Sequence, residues 1–159
     1  MPFYLVDRIE EIAPGESLRA VKCISLAEEI FRDHFPGQPI YPGVLLVESG
    51  LQAAAILLEA ERDFAVKALP AMLDEVRFRH PVHPGDRLRI TARKLRGATD
   101  QARCTIEVAS DGHDCVTRLE ATFKLAPIEV LGVAREAYLH YARTLLATAT
   151  TVGTRVEPV

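Results

Sequence analysis

Two side chains in the stretch His34-Phe35-Pro36-Gly37-Gln38-Pro39-Ile40-Tyr41-Pro42-Gly43-Val44-Leu45-Leu46-Val47-Glu48-Ser49-Gly50-Leu51-Gln52 are suited to moving protons. His34 offers an imidazole, and Glu48 offers a carboxyl group in an otherwise apolar run. Ionising a carboxyl group in apolar surroundings is costly, so desolvation raises its pKa and Glu48 is expected to be able to hold a proton at pH 7. Gln52 follows at i+4 on the same helical face, where it can orient one carboxyl oxygen and leave the other for a ligand. Gly43, where the loop enters the helix, adds a third group: an unpaired N–H at the positive end of the helix dipole, able to stabilise charge on a carbonyl oxygen. Each residue also has a plainer reading. Glu48 could be a structural acid satisfied by a buried hydrogen bond or an arginine, a lone histidine beside Pro and Phe is more often structural than catalytic, and Pro42-Gly43 is adequate as a turn. The joint appearance of acid and base around one Pro/Gly loop favours acid–base chemistry.

Two elements must position these groups. His34 to Gly43 carries Pro36, Gly37, Pro39, Pro42 and Gly43 and cannot be helical for long. From Val44 the chain is apolar around its whole circumference to Leu58, which predicts a helix packed on all sides, fading near Arg62-Asp63. It is read as too short, and too interrupted by Glu48 and Gln52, to span a bilayer.

His34-Phe35-Pro36-Gly37, Pro39, Pro42-Gly43-Val44-Leu45, Glu48 and Gln52, in this spacing, resemble the signature of the FabZ-type 3-hydroxyacyl-acyl carrier protein dehydratases. The related FabA type carries Asp where this chain has Glu48, so the resemblance favours FabZ. Leu5-Val6-Asp7-Arg8 and Val76-Arg77-Phe78-Arg79-His80-Pro81-Val82-His83-Pro84-Gly85-Asp86 extend the similarity over approximately residues 3–126; the Pro-Gly-Asp segment is shared by many hotdog-fold proteins. Tyr41 stands where Met is commonest, and Ser49-Gly50 replace Ala and a larger apolar residue. Gly50 inside a helix costs about 1 kcal/mol relative to Ala, which close approach by an acyl chain or another helix could offset. With Phe35, these three form an expected substrate pocket, and ordinary drift at packing positions explains them equally well.

Composition fits one compact domain. The 159 residues are 48% hydrophobic, and a formal charge of −3 gives no nucleic-acid signature. No secretory or transit segment is read at the start, and the three cysteines, Cys23, Cys104 and Cys115, are odd in number and widely spaced, as for reduced thiols in a cytoplasmic protein. Strands are expected at Ser17–Ser25, Met72–His80, Arg87–Leu95, Ala102–Ala109 and Cys115–Leu125, separated by turns at Pro14-Gly15, Pro84-Gly85-Asp86, Arg96-Gly97-Ala98 and Asp111-Gly112. The expected architecture is α+β: an antiparallel sheet wrapped around one long apolar helix, the hotdog arrangement. Pro127 should end the last strand, with an amphipathic helix over Val130–Ala147 and a frayed tail from Thr148. The domain is divided as 1–126 for the hotdog unit and 127–159 for its C-terminal extension.

His80 and His83, three residues apart on an expected strand, face opposite sides, so no metal site is expected. Arg77, Arg79, Arg87, Arg89, Arg93, Lys94, Arg96 and Arg103 form a basic segment, read first as a solvated face. Because acyl carrier proteins are acidic, the resemblance implies that some of these residues could dock one. It further implies dehydration of a (3R)-3-hydroxyacyl thioester to the trans-2-enoyl thioester, with His34 as base at C2, Glu48 acting on the 3-hydroxyl and Gly43 on the carbonyl. The site would be shared across a homodimer or dimer-based oligomer, with substrate carried on phosphopantetheine and no metal, flavin or nucleotide required. Fatty-acid and polyketide-type biosynthesis both accommodate this chemistry. The rivals are a hotdog thioesterase and a non-catalytic acyl-binding or dimerisation partner of an active homologue.

Overall fold

In the computed structural model, which describes residues 3–152, the strands carry period-two patterning to differing degrees. Alternation is clearest in β5 (Gln101–Ala109) and in the first part of β6 (Thr117–Pro127), where every second residue is buried. The inward set includes Ala102, Cys104, Ile106 and Val108 of β5 with Leu119, Ala121 and Phe123 of β6. With β1 (Arg8–Ala13), β2 (Ser17–Cys23), β3 (Val66–Phe78) and β4 (Arg87–Gly97), they form an antiparallel sheet. The strand order is β3-β6-β5-β4-β2-β1-β7, where β7 (Thr150–Thr151) lies parallel to β1.

The sheet wraps α1 (Gly43–Ala60), which packs against β2 to β6. Burying each large side chain, such as Ile56, Leu57 or Leu58, is worth about 1.5–3 kcal/mol, which explains why so apolar a segment is stable inside a globular fold. By length and composition the 18 residues would suffice to cross a bilayer, contrary to the sequence reading, but 67% of them are buried within the fold, as for a core helix. α1 is also not covered on every side. Val44 is 70% exposed and Glu48 and Gln52 are half-buried, so this stripe faces away from the sheet.

Gly50 has a packing reason. A Cβ there would lie 2.6 Å from Ile106 Cγ2, so the glycine admits β5 rather than an acyl chain or another helix. Strand β3 begins ahead of the predicted Met72, running through Pro70 with a register shift beside it. That is tolerable because β3 is an edge strand and a proline there need not donate to a second neighbour. β1 was not anticipated. Past β6, which ends at Pro127, the predicted helix over Val130–Ala147 is split: Ile128–Ala134 is a 3-10 segment, and α2 spans Arg135–Ala147. The break is Gly132, at φ 53 and ψ −128, a conformation side-chain-bearing residues rarely adopt. The expected fraying from Thr148 fails at Thr150 and Thr151, which pair with Glu11 and Ile12; the rest of that tail, 153–159, lies outside the described residues.

Candidate active site

The loop before α1 holds His34 by its ring. Nδ1 lies 2.8 Å from the Ile40 carbonyl oxygen. A carbonyl only accepts, so this contact places a proton on Nδ1, and in the neutral ring the lone pair is then on Nε2. The loop is clamped further along, where the Tyr41 N–H donates to Val82 O at 2.7 Å and the buried Tyr41 ring packs against Phe31. Phe35 is exposed beside the imidazole, its ring centroid 4.3 Å away.

Pro42 ends the loop, and Gly43 begins α1, so the Gly43 N–H belongs to the first turn, where a helix has no internal acceptor. A Cβ on Gly43 would meet the Phe78 ring at 2.8 Å, so only glycine leaves the backbone open there without displacing that ring. Gly43, Val44, Tyr41, Phe78, Arg79 and His80 line one shallow depression.

One turn further along α1, Gln52 Nε2 donates to Glu48 Oε1 at 2.9 Å, the i, i+4 geometry expected from the sequence. Gln52 is itself fixed, since its Oε1 accepts from Leu5 N–H at 2.8 Å and its Nε2 also donates to Phe3 O at 2.9 Å. Glu48 is less buried than expected, because its stripe of α1 faces a cleft of about 200 Å³ rather than the sheet. Phe3, Tyr4, Leu51, Ala55, Ile56 and Leu69 are among the residues lining it. Ser49 and Gly50 do not: Ser49 is fully buried with its hydroxyl donating to Leu46 O, and Gly50 is pressed on Ile106. His34 does not line the Glu48 cleft either. Within a single chain His34 and Glu48 thus sit in separate places.

Sequence reasoning missed the most buried carboxylate of α1. Glu59 is fully buried and accepts from Lys67 Nζ at 2.7 Å, from Ala68 N–H at 2.9 Å and from the Tyr138 hydroxyl. Burial raises its pKa above the usual carboxylate range, opposed by the Lys67 ammonium and these hydrogen bonds. Tyr138 is likewise pushed up, by burial first and then by the Glu59 charge. The signal was present in the spacing: Glu48, Gln52, Ala55 and Glu59 fall at i, i+4, i+7 and i+11, one face of a helix.

Of the basic segment, Arg87, Arg89, Lys94, Arg103 and Arg77 have carboxylate partners. Arg79, Arg93 and Arg96 have none among the described residues. His80 lies beyond the end of β3 rather than on a strand with His83, and it stacks on His113 at 3.9 Å.

The FabA-like domain family matches residues 1–118 of the chain. A 3-hydroxyacyl-[acyl-carrier-protein] dehydratase FabZ of Symbiobacterium thermophilum is 48% identical over 90 residues, covering 56% of this chain and 63% of that protein. The chain therefore spans less than two thirds of that relative's length. The enzyme of the same name from Campylobacter hominis is 42% identical over 102 residues, 60% of this chain and 70% of that one. Among solved structures, zebrafish thioesterase superfamily member 2 superposes with a TM-score of 0.59 at 11% identity, covering 74% of this chain and 80% of its own. At that identity the likeness speaks for the fold alone.

Proposed function

Because this chain belongs to the FabA-like family, alongside proteins named FabZ, we propose that it dehydrates (3R)-3-hydroxyacyl thioesters to trans-2-enoyl thioesters. The observation that carries the reading is how its two proton-moving groups are tethered. Ile40 O occupies His34 Nδ1 and leaves Nε2 to take a proton, while Gln52 occupies Glu48 Oε1 and leaves Oε2 free of that bond, on a residue that lines a largely apolar cleft. In the proposed step Nε2 removes the C2 proton, the C2 electron pair forms the C2–C3 double bond, and Glu48 delivers a proton to the departing 3-hydroxyl, which leaves as water. The Gly43 N–H stabilises the carbonyl oxygen while enolate character builds at C2. This chemistry requires no metal, flavin or nucleotide.

Since His34 and Glu48 occupy separate places in one chain, the reading calls for a second copy that supplies one of them. The edge strand β3 is the natural seam: Leu69, Met72, Leu73 and Phe78 are exposed on it, and Val44 is exposed at the start of α1. The substrate is proposed to arrive on an acyl carrier protein. Arg79, without an acidic partner among the described residues and beside Gly43 and Phe78, is the member of the basic segment best placed to meet it.

The test is turnover of a 3-hydroxyacyl-carrier substrate. Enoyl absorbance supports the dehydratase, whereas release of free thiol would replace it with a thioesterase. His34→Ala and Glu48→Gln should each lower dehydration by about 10²–10⁴-fold; unchanged rates would refute the mechanism.

A further inference from the structure

The cleft beginning at Glu48 runs along α1 past Gln52 and Ala55 to Ile56, with Ala68, Leu69 and Pro70 of β3 on another wall. Further along the helix axis stand Lys67 and Tyr138, which also line it. Lys67 Nζ is 2.7 Å from Glu59 Oε1 and 3.9 Å from the centre of the Tyr138 ring, and the Tyr138 hydroxyl donates to the same carboxylate. Tyr138 and Tyr141 come from α2, beyond residues 1–118 that match the family.

This wall is anchored on three sides. Besides the Tyr138 bond to Glu59, Tyr141 donates to Val6 O at 2.9 Å and stacks on Tyr4 with ring centroids 3.7 Å apart. Beyond α2, β7 pairs with β1. Moving Tyr138 aside would leave a fully buried carboxylate short of a donor, so an incoming chain would not displace it cheaply.

We propose that α2 closes the cleft and that Tyr138, seated on the Glu59–Lys67 pair, limits the acyl chain to short and medium lengths, since the cleft holds about 200 Å³. The inference rests on the dehydratase reading for what the cleft holds. It makes this chain a short- to medium-chain enzyme whose length limit is supplied by its C-terminal extension.

The test compares 3-hydroxybutanoyl, 3-hydroxyoctanoyl and 3-hydroxyhexadecanoyl pantetheine thioesters on the full chain. Wild-type kcat/KM should fall by at least about tenfold from octanoyl to hexadecanoyl, and Tyr138→Ala should recover about tenfold of that ratio. A flat wild-type profile overturns the proposal, as does an unchanged ratio in a folded Tyr138→Ala variant. A second measurement needs neither turnover nor the variant: saturated octanoyl-pantetheine should raise the wild-type melting temperature and hexadecanoyl-pantetheine should not. Equal shifts, or none from octanoyl, refute the limit. If octanoyl alone stabilises but no thioester is dehydrated, the length limit stands and the dehydratase reading falls.

Discussion

Mixing two inactive variants should restore activity if one site draws His34 and Glu48 from different copies. His34 is tied to Ile40 O, and Glu48 lines a cleft that His34 does not reach. Taken alone, His34→Ala or Glu48→Gln removes one group from every site, and each homodimer should retain only about 10⁻² to 10⁻⁴ of wild-type kcat. Random reassembly of equal amounts gives about half heterodimers. Each heterodimer has one site lacking both groups and one site with both intact. Half of the dimers with half of their sites active is about one quarter of wild-type activity, at least about 25-fold above either parent. The assay is enoyl formation before and after denaturing the two variants together and refolding them, with each variant refolded alone as the control. Heterodimers isolated through two different affinity tags should show about half of wild-type activity per dimer. If the mixture only matches the parental average while size measurements show that exchange occurred, the acid and base act within one chain.

Three stability measurements test the packing. Gly50→Ala adds a methyl group 2.6 Å from Ile106 Cγ2; overpacking costs about 1–3 kcal/mol, against about 1 kcal/mol gained in helix propensity, so urea unfolding should show a net loss of about 1 kcal/mol. In an Ile106→Ala background the same change should become stabilising by about 1 kcal/mol, and an equal loss in both backgrounds would refute the contact. Lys67→Met leaves Glu59 buried without its cation and should cost about 3–5 kcal/mol in the same experiment; a loss below about 1 kcal/mol would mean the pair does not hold this region together. Burial raises the folded-state pKa of Glu59 above its unfolded value, so this group's contribution is fully present below the unfolded value and lost as pH rises through the folded one. Wild-type stability relative to Glu59→Gln should therefore decline from mildly acidic pH toward neutrality, and a relative gain over that range would contradict the assignment.

The elements between Ser17 and Leu125 were legible because alternation and turn residues are local signals. β5 and β6 begin and end within two residues of their expected limits. Local signals also misled. Pro70 read as a strand boundary because proline breaks ladders, but β3 has a neighbour on only one side at that point. The amphipathic pattern from Val130 carried no warning of the backbone reversal at Gly132. At the site, Gln52 could be placed on Glu48 from helical spacing alone. The partial exposure of Glu48 could not, since it depends on which face of α1 the sheet leaves open. Glu59, Lys67 and Tyr138 are brought together from α1, β3 and α2, a meeting that no periodicity within one segment records.

If two copies pair through β3, as proposed, β7 bears on what larger assembly they can enter. A sheet with two open edges can be extended indefinitely, each copy templating the next. Among the described residues β7 is two residues long and covers Glu11 and Ile12 of the six-residue β1, whereas β3 stays long and exposed at the opposite edge. A sheet extended through one edge alone terminates after a single two-fold pairing. In the proposed pair, Thr150 and Thr151 thereby narrow the far edge, so that raising the concentration should yield more pairs rather than fibres.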